Sequence, residues 1–342
     1  MRRALSFLSM DACGALQRLI PPPGAGMTAC DFLAQQLLTG VANGMLIALI
    51  AIGYTLVYGI IEMINFAHGD VYMLGTFASL TAIQAINLRP PGRTAIPGPE
   101  MYVQLFGVLI VVMALMALLN IAIERLAYRP LRRAPRLAPL ISAIGVSFIL
   151  VNIGLLWKGP APLNFPNYIP RIDILNEWFK MKTVVYFSTK DLFVIAVTLP
   201  LVILLQLFVR NTKIGTAMRA TAQDREAAQL MGININRTIA LTFLLGGALA
   251  GAAGLISGLY NNTAVFTLGF RAGLNAFTAA VLGGIGNLTG AMLGGLFLGV
   301  IAALSDGYIG SRWTPVVVFG LLILVLVFRP SGLLGQPTAQ RA

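Results

Sequence analysis

The chain has 342 residues, of which 57% are hydrophobic and only 11% are charged. Because soluble domains carry about 25% charged residues, this composition excludes an ordinary soluble protein. The formal net charge of +12 is compatible with nucleic-acid binding, but arginine and lysine are concentrated in short loops between apolar runs. That distribution follows the positive-inside rule of membrane proteins. We therefore expect membrane lipid, and no nucleic acid, around the chain.

The N-terminal 30 residues differ from the rest of the chain. They contain the run Pro21–Pro23, which blocks a helix, and several arginines. We expect residues 1–30 to be a disordered or non-native extension, with Met27 as a candidate for the true start. No repeat divides residues 31–335, which are expected to form one membrane domain followed by a tail at 336–342.

Long apolar runs, several of them free of any charge, predict an all-α fold, a polytopic transmembrane bundle of about 8–9 helices with one short cytoplasmic helix. Each run approaches the roughly 20 apolar residues that cross a hydrocarbon core of ~30 Å. The region 264–308 is broken at Gly283, Gly284 and Gly286. It forms either two crossings, or a re-entrant hairpin and one crossing. We expect the break inside the bundle, because irregular backbone at membrane depth must be buried in protein or line a cavity. The predicted spans are 34–61, 68–88, 101–122, 137–157, 191–209, 238–260, 264–287, 290–308 and 313–329.

Two arginine-rich loops predict the orientation. The loops 124–136 and 210–237 each carry five basic residues and few acids, so both are expected on the cytoplasmic side. The aromatic segment 158–190 between them is then expected along the outer face. Nine crossings put Arg329 inside and the start outside, whereas eight would put the C-terminus outside. We favour nine.

The segment 219–232 is polar and lies between apolar runs. Thr221 is a candidate N-cap, with Asp224 completing a weak capping box, and Gly232 is suited to a left-handed C-terminal stop. Two exposed turns are marginal in water alone. Two interpretations stay open: the helix occupies a groove on a partner, or it lies on lipid. Its predicted apolar face consists of Ala227, Leu230 and Met231.

The densest polar set near the membrane consists of Glu62, Asn65, His68 and Asp70, together with Tyr54 and Tyr58. Ionisable residues at membrane depth are costly and suggest function, here a proton relay through Glu62, His68 and Asp70. The alternative, which we favour, is a cytoplasmic helix break. In it Asn65, His68–Gly69 and Asp70 end one span and cap the next within reach of lipid headgroups.

Several motifs are missing from the sequence. It contains no P-loop, no His-Glu-x-x-His, no Gly-x-Ser-x-Gly and no regularly spaced intramembrane arginines. The cysteines Cys13 and Cys30 form no Cys-x-x-Cys. We therefore expect no catalytic residues, no metal and no cofactor. Glycines at four-residue spacing, such as Gly40/Gly44, predict either close helix packing or helices that slide and tilt against each other during transport.

Five collinear segments resemble the permeases of bacterial branched-chain amino acid importers, the high-affinity Liv system. The likeness runs from about residue 31 to residue 335 and is stronger to the shorter of the two permeases of that system. The segments are Ile64–Asp70, Tyr128–Arg132, Ala220–Gly232 with Glu-Ala-Ala-x-x-x-Gly, Ala276–Gly286 and Arg329–Gly335.

This resemblance implies an ATP-binding cassette importer in the bacterial inner membrane. Its partners are two ATPase subunits, a second permease and a periplasmic substrate-binding protein, and ATP is hydrolysed outside this chain. Residues 31–335 are then the transmembrane permease domain. The Ile-x-Leu-Pro tail of many importers is replaced here by Ile233–Asn236, which puts contacts beyond Gly232 in doubt. The resemblance implies an ATPase-coupling helix that contains Glu226, Ala227, Ala228 and Gly232. We add the flanking Arg219 and Asp224 to the predicted coupling residues.

The substrate and the energy source stay open in the sequence. Branched-chain amino acids are the default substrate, with urea, short amides or other amino acids as alternatives. We expect a smooth, largely apolar pathway without strong ion-binding residues. The rivals are an ion-coupled secondary transporter and a channel or structural subunit.

Overall fold

The computed structural model describes residues 27–61, 63, 65–90, 98–132, 134–135, 137–180, 183–329 and 331–335. Within these ranges the chain is mostly helical, as predicted, with a single pair of two-residue strands. Glu62, most of the expected N-terminal extension and the tail at 336–342 lie outside the described residues. Residues 29 and 30, assigned to that extension from sequence, already belong to the first helix.

Nine helices follow the nine predicted runs in order, and two further short helices lie in the second arginine loop. The helices are α1 (Ala29–Ile61), α2 (Ala67–Ala85), α3 (Pro99–Ile123), α4 (Leu137–Lys158), α5 (Thr189–Asn211), α6 (Lys213–Gln223), α7 (Arg225–Leu230), α8 (Ile235–Asn261), α9 (Leu268–Gly283), α10 (Leu288–Tyr308) and α11 (Thr314–Phe328).

Six of the described helices are long and apolar enough to cross a membrane: α1, α3 with its continuation to Leu131, α4, α5, α8 and α10. Of the others, α2 has 19 residues, α9 has 16, and the apolar α11 has 15. Length and composition therefore support a multi-pass bundle without deciding between eight and nine crossings.

Helix α1 packs against α10 along a seam of small residues. A Cβ built on Gly40 would lie 2.7 Å from the Cα of Val300, and one built on Gly44 would lie 2.8 Å from the Cα of Leu296. Carbon atoms in contact are normally about 3.5–4.0 Å apart, so side chains at these glycines would force the helices apart. The predicted close packing at Gly40 and Gly44 is confirmed.

The two arginine loops lie at the same end of the bundle. Helix α3 continues as a π-helical turn (Glu124–Tyr128) and a 3-10 turn that ends at Leu131. Arg132 then donates to the buried carboxylate of Glu124 and, at 2.7 Å, to the side chain of Asn236 at the start of α8. This contact joins the first arginine loop to the second.

The opposite end is closed by the segment between α4 and α5. Its strand β1 (Leu163–Asn164) pairs antiparallel with β2 (Thr263–Ala264), which follows α8. The Tyr168 hydroxyl donates to the Leu88 carbonyl after α2. These contacts put the predicted outer loop at the end of the bundle remote from the arginine loops.

Candidate functional site

The predicted short helix at 219–232 is in fact two helices, α6 and α7, joined at Asp224. Asp224 is the N-cap of α7: it has extended backbone, and its carboxylate accepts from the amides of Glu226 and Ala227 at 3.0 and 3.1 Å. The prediction that Thr221 is an N-cap is wrong. Thr221 lies in the last turn of α6, and its hydroxyl donates to the Ala217 carbonyl, because α6 begins much earlier, at a cap formed by Thr212.

Gly232 ends α7 as predicted. Its φ is +85°, a conformation that costs a residue with a side chain about 1–2 kcal/mol. The amide of Gly232 donates to the Gln229 carbonyl, and the amide of Ile233 donates to the Ala228 carbonyl. These two bonds form a Schellman motif, which satisfies the last carbonyls of the helix.

The apolar tip of α7 is turned away from the bundle. Leu230 is 89% exposed and Met231 is 83% exposed. Ala227 and Glu226 are exposed as well, whereas Ala228 is buried. The predicted face of Ala227, Leu230 and Met231 is thus present and uncovered by any described part of this chain. Ala228 lies on a different, inward-facing side of the helix and is buried.

Two arginines attach this segment to the ends of longer helices. Arg219 donates to the carbonyls of Val209 and Arg210 at the end of α5, at 2.6 and 3.0 Å. Arg225 donates through Nε and Nη2 to the Ile60 carbonyl at the end of α1, at 3.1 and 2.5 Å. Since terminal helix carbonyls lack intrahelical partners, both arginines satisfy groups that would otherwise be unpaired.

We call α6, α7 and the stop at Gly232 the connector (residues 213–232). Helix α7 is capped at both ends, by Asp224 and at Gly232, and the arginines of the connector join it to α1 and α5. The sequence analysis missed Arg225, because its partner is a backbone carbonyl 165 residues away and no local pattern reveals it.

The break between α1 and α2 is present where the sequence predicted it, but the predicted caps are wrong. The residue that precedes α2 is Phe66, and no side chain caps this end. The Asn65 side chain instead accepts a hydrogen bond of 2.7 Å from the hydroxyl of Tyr128, in the first arginine loop. Asn65, His68 and Asp70 are buried to 4%, 0% and 1% exposure, so protein and not headgroups surrounds them.

His68 and Asp70 face different helices. The His68 ring lies edge-on against Tyr54, with centroids 4.8 Å apart, and fits against Gly53, where any Cβ would collide with it. The Asp70 carboxylate accepts a hydrogen bond of 2.5 Å from Ser147 of α4. No described contact joins the two residues, and Glu62 lies outside the described residues, so the geometry gives no continuous relay.

This cluster is nevertheless short of hydrogen-bond partners. Among the described residues, eight buried side-chain nitrogen or oxygen atoms have none, and five of those atoms belong to four residues of this region. Buried polar groups usually have hydrogen-bond partners. More than half of the partnerless buried polar atoms of the described residues lie in this one region. The four residues are Thr55, Asn65, His68 and Asp70.

The glycine break at 283–287 is a tight turn between α9 and α10. Gly283 and Gly284 are buried and Gly286 is exposed, and the φ angles of Gly284 and Gly286 are +105° and +90°. The closing segment 331–335 covers the turn: the amides of Leu333 and Leu334 donate to the carbonyls of Leu282 and Gly283. Beside the turn, a shallow and mostly apolar cleft is lined by Tyr54, Thr55, Tyr58, Phe277, Ala280 and Ile285.

The described residues contain no group of three or more potential metal ligands. The family model for the branched-chain amino acid transport system permease component matches residues 36–327. The chain belongs to this family. Permease components are membrane subunits and not enzymes. Together with its six long apolar helices, membership makes the chain a multi-pass protein of the bacterial inner membrane.

Curated relatives from this family resemble the chain over almost its whole length. The high-affinity branched-chain amino acid transport system permease protein BraD of Pseudomonas aeruginosa is 45% identical over 90% of this chain and 97% of its own length. The corresponding LivH proteins of Salmonella typhimurium and Escherichia coli are 42% and 41% identical, each over 91% of this chain and 98% of their own length. No solved structure matches the chain significantly.

Proposed function

We propose that this chain is one of two permease subunits of an ATP-binding cassette importer that moves branched-chain amino acids into the cell. Two ATPase subunits hydrolyse ATP on the cytoplasmic side, and a periplasmic binding protein delivers the substrate. The observation that carries the substrate assignment is the near full-length similarity to relatives named for this transport.

The connector is the proposed contact with an ATPase subunit. Its exposed tip of Glu226, Ala227, Leu230 and Met231 offers a small apolar surface with one acidic group. A cleft on the ATPase would cover this surface and shield Leu230 and Met231 from water. Arg219 and Arg225 then have an internal role: they transmit movement of the tip to α5 and α1 rather than touching the ATPase.

The proposed topology has nine crossings, with the connector inside. Contacts of Arg225 with Ile60 and of Arg132 with Asn236 support one shared cytoplasmic end for both arginine loops and the end of α1. The segment of β1 and the Tyr168–Leu88 contact then belong to the periplasmic face.

Substitutions that change the charge at the connector test the coupling role. We expect Glu226→Lys and Gly232→Asp to abolish leucine uptake in cells while membrane insertion stays normal. The aspartate at 232 puts a negative charge beside the negative end of α7. Glu100→Lys, at the exposed start of α3 at the other end of the bundle, is the matched control and should transport normally. Normal uptake by both connector variants would refute the assignment.

A mild-detergent pull-down of the tagged chain tests the assembly. Mass spectrometry should identify ATP-binding cassette subunits and a second permease beside the wild-type chain. Glu226→Lys should lose the ATPase subunits and keep the second permease. Recovery of the chain alone would favour an ion-coupled carrier instead.

A further inference from the structure

Arg271 is the only charged residue between Arg237 and Asp306 in the sequence. It lies in the first turn of α9, and its side chain is exposed on the surface of this chain. It makes no hydrogen bond or ion pair with the described part of the chain. A guanidinium without a partner in the described part of the chain, in an otherwise uncharged stretch of 68 residues, needs a physical explanation.

Contacts with the other helices give the depth of Arg271. Helix α8 has 27 residues and is therefore about 40 Å long. Gly246 lies about 17 Å from its start and about 22 Å from its end, near the middle. A Cβ built on Gly246 would lie 3.4 Å from the Gly53 carbonyl and 3.6 Å from the His68 ring. His68, at the start of α2, is therefore at mid-depth.

The first turn of α9 lies at the same level. A Cβ built on Gly69, next to His68, would lie 2.9 Å from the Cα of Gly273, and one built on Gly269 would lie 2.9 Å from the Cα of Asp70. Arg271 is two residues from both Gly269 and Gly273, so it points about 200° away from them around the helix axis. Since those glycines face α2, Arg271 projects outward from the bundle near the centre of the membrane.

A charged side chain at this depth is costly in a lipid-facing position. Intramembrane arginines almost always face protein or a water-filled cavity. The outward surface around Arg271 is therefore expected to border either a second subunit or an aqueous pathway. Phe270, 65% exposed, gives the same surface an apolar patch directly beside the guanidinium.

We propose that Arg271 binds the α-carboxylate of the amino acid as it passes the centre of the membrane, with Phe270 beside the substrate's apolar side chain. This inference rests on the proposed function. A guanidinium matches a carboxylate with two parallel hydrogen bonds, and it lies at the N-terminal end of α9, where the helix dipole also favours an anion. A carboxylate next to an apolar side chain is the chemistry of leucine, isoleucine and valine.

The test uses the complete importer in proteoliposomes, with both permeases, both ATPases and leucine-loaded binding protein. The readout is the number of leucine molecules transported per ATP hydrolysed. Arg271→Gln should lower this ratio about tenfold, the effect of losing a charge-assisted hydrogen bond, while binding-protein-stimulated ATPase activity stays within twofold of wild type. Arg271→Lys keeps the charge but not the bidentate geometry, so its ratio should be intermediate. Arg312→Gln, at an exposed arginine between α10 and α11, is the control and should match wild type.

Three results separate the possibilities. A ratio for Arg271→Gln less than threefold below wild type would overturn the inference. Loss of the second permease from the purified Arg271→Gln complex would also overturn it, since Arg271 would then pair with an acidic residue of that subunit. A wild-type importer that carries no leucine would overturn the proposed function itself and, with it, the basis of the inference.

Discussion

Arg225 is expected to hold the connector against the bundle, and its removal should release the connector measurably. Both of its hydrogen bonds end on the Ile60 carbonyl. Hydrogen bonds to charged groups contribute about 1.5–3 kcal/mol each, and the lower value applies here because the site is partly exposed. Arg225→Met removes both donors and keeps the apolar stem. Because both donors share the single Ile60 carbonyl, we count them as one hydrogen bond. A loss of about 1.5 kcal/mol corresponds to roughly tenfold more opening of the connector.

Hydrogen–deuterium exchange of the purified chain in detergent measures this opening. Amides of residues 226–233 should exchange about tenfold faster in Arg225→Met than in wild type, since exchange follows the opening equilibrium. Arg237→Met is the matched control, because Arg237 is exposed in the same loop and its side chain makes none of the hydrogen bonds found for the described residues. Equal exchange rates in Arg225→Met and wild type would refute the reasoning that Arg225 couples α7 to α1.

Three further predictions follow from packing, charge and backbone geometry. Gly299→Val should lower the melting temperature in detergent by several degrees. A Cβ at this position would lie 2.6 Å from the Gly40 carbonyl, and overpacking costs about 1–3 kcal/mol. Gly320→Ala, with open space around the glycine, should leave the melting temperature unchanged. Glu124→Ala leaves Arg132 without its carboxylate and should lower the free energy of unfolding by about 3 kcal/mol. The loss should appear as a smaller monodisperse peak in size-exclusion chromatography, and an unchanged peak would contradict this. Gly232→Val should abolish uptake, and replacement by Asn, which tolerates positive φ, should largely restore it; equal uptake in both variants would exclude a role for backbone strain.

Sequence patterns predicted the helices well because apolar run length determines them directly. All nine predicted runs correspond to helices, and Gly232 ends α7 with the predicted backbone conformation. Lipid leaves few alternatives to helix for such runs, and a positive φ after a short helix strongly favours glycine. These features depend on residues that are close in sequence.

Features that depend on distant contacts were predicted poorly. Thr221 was assigned as a cap because nothing local shows that α6 begins at Lys213. Asn65 was assigned as a cap, but Tyr128 occupies its side chain. Arg271 is a lone charge in the sequence, but its depth in the bundle follows only from the contact between Gly69 and Gly273.

The pairing of His68 with Asp70 shows the same limit. His68 and Asp70 are two residues apart in the sequence, which suggested neighbours in a relay. On a helix, however, residues two apart point about 200° away from each other. His68 accordingly packs on α1 and Asp70 binds Ser147 of α4. This separation weakens the ion-coupled alternative and leaves ATP as the better candidate for the energy source.

Leucine uptake into proteoliposomes that contain the complete importer tests the central claim most directly. Uptake should require ATP on the side of the ATPase subunits, should persist when an uncoupler removes the proton gradient, and should be competed by isoleucine and valine. Uptake that continues without ATP and collapses with the uncoupler would contradict the account and return attention to His68 and Asp70.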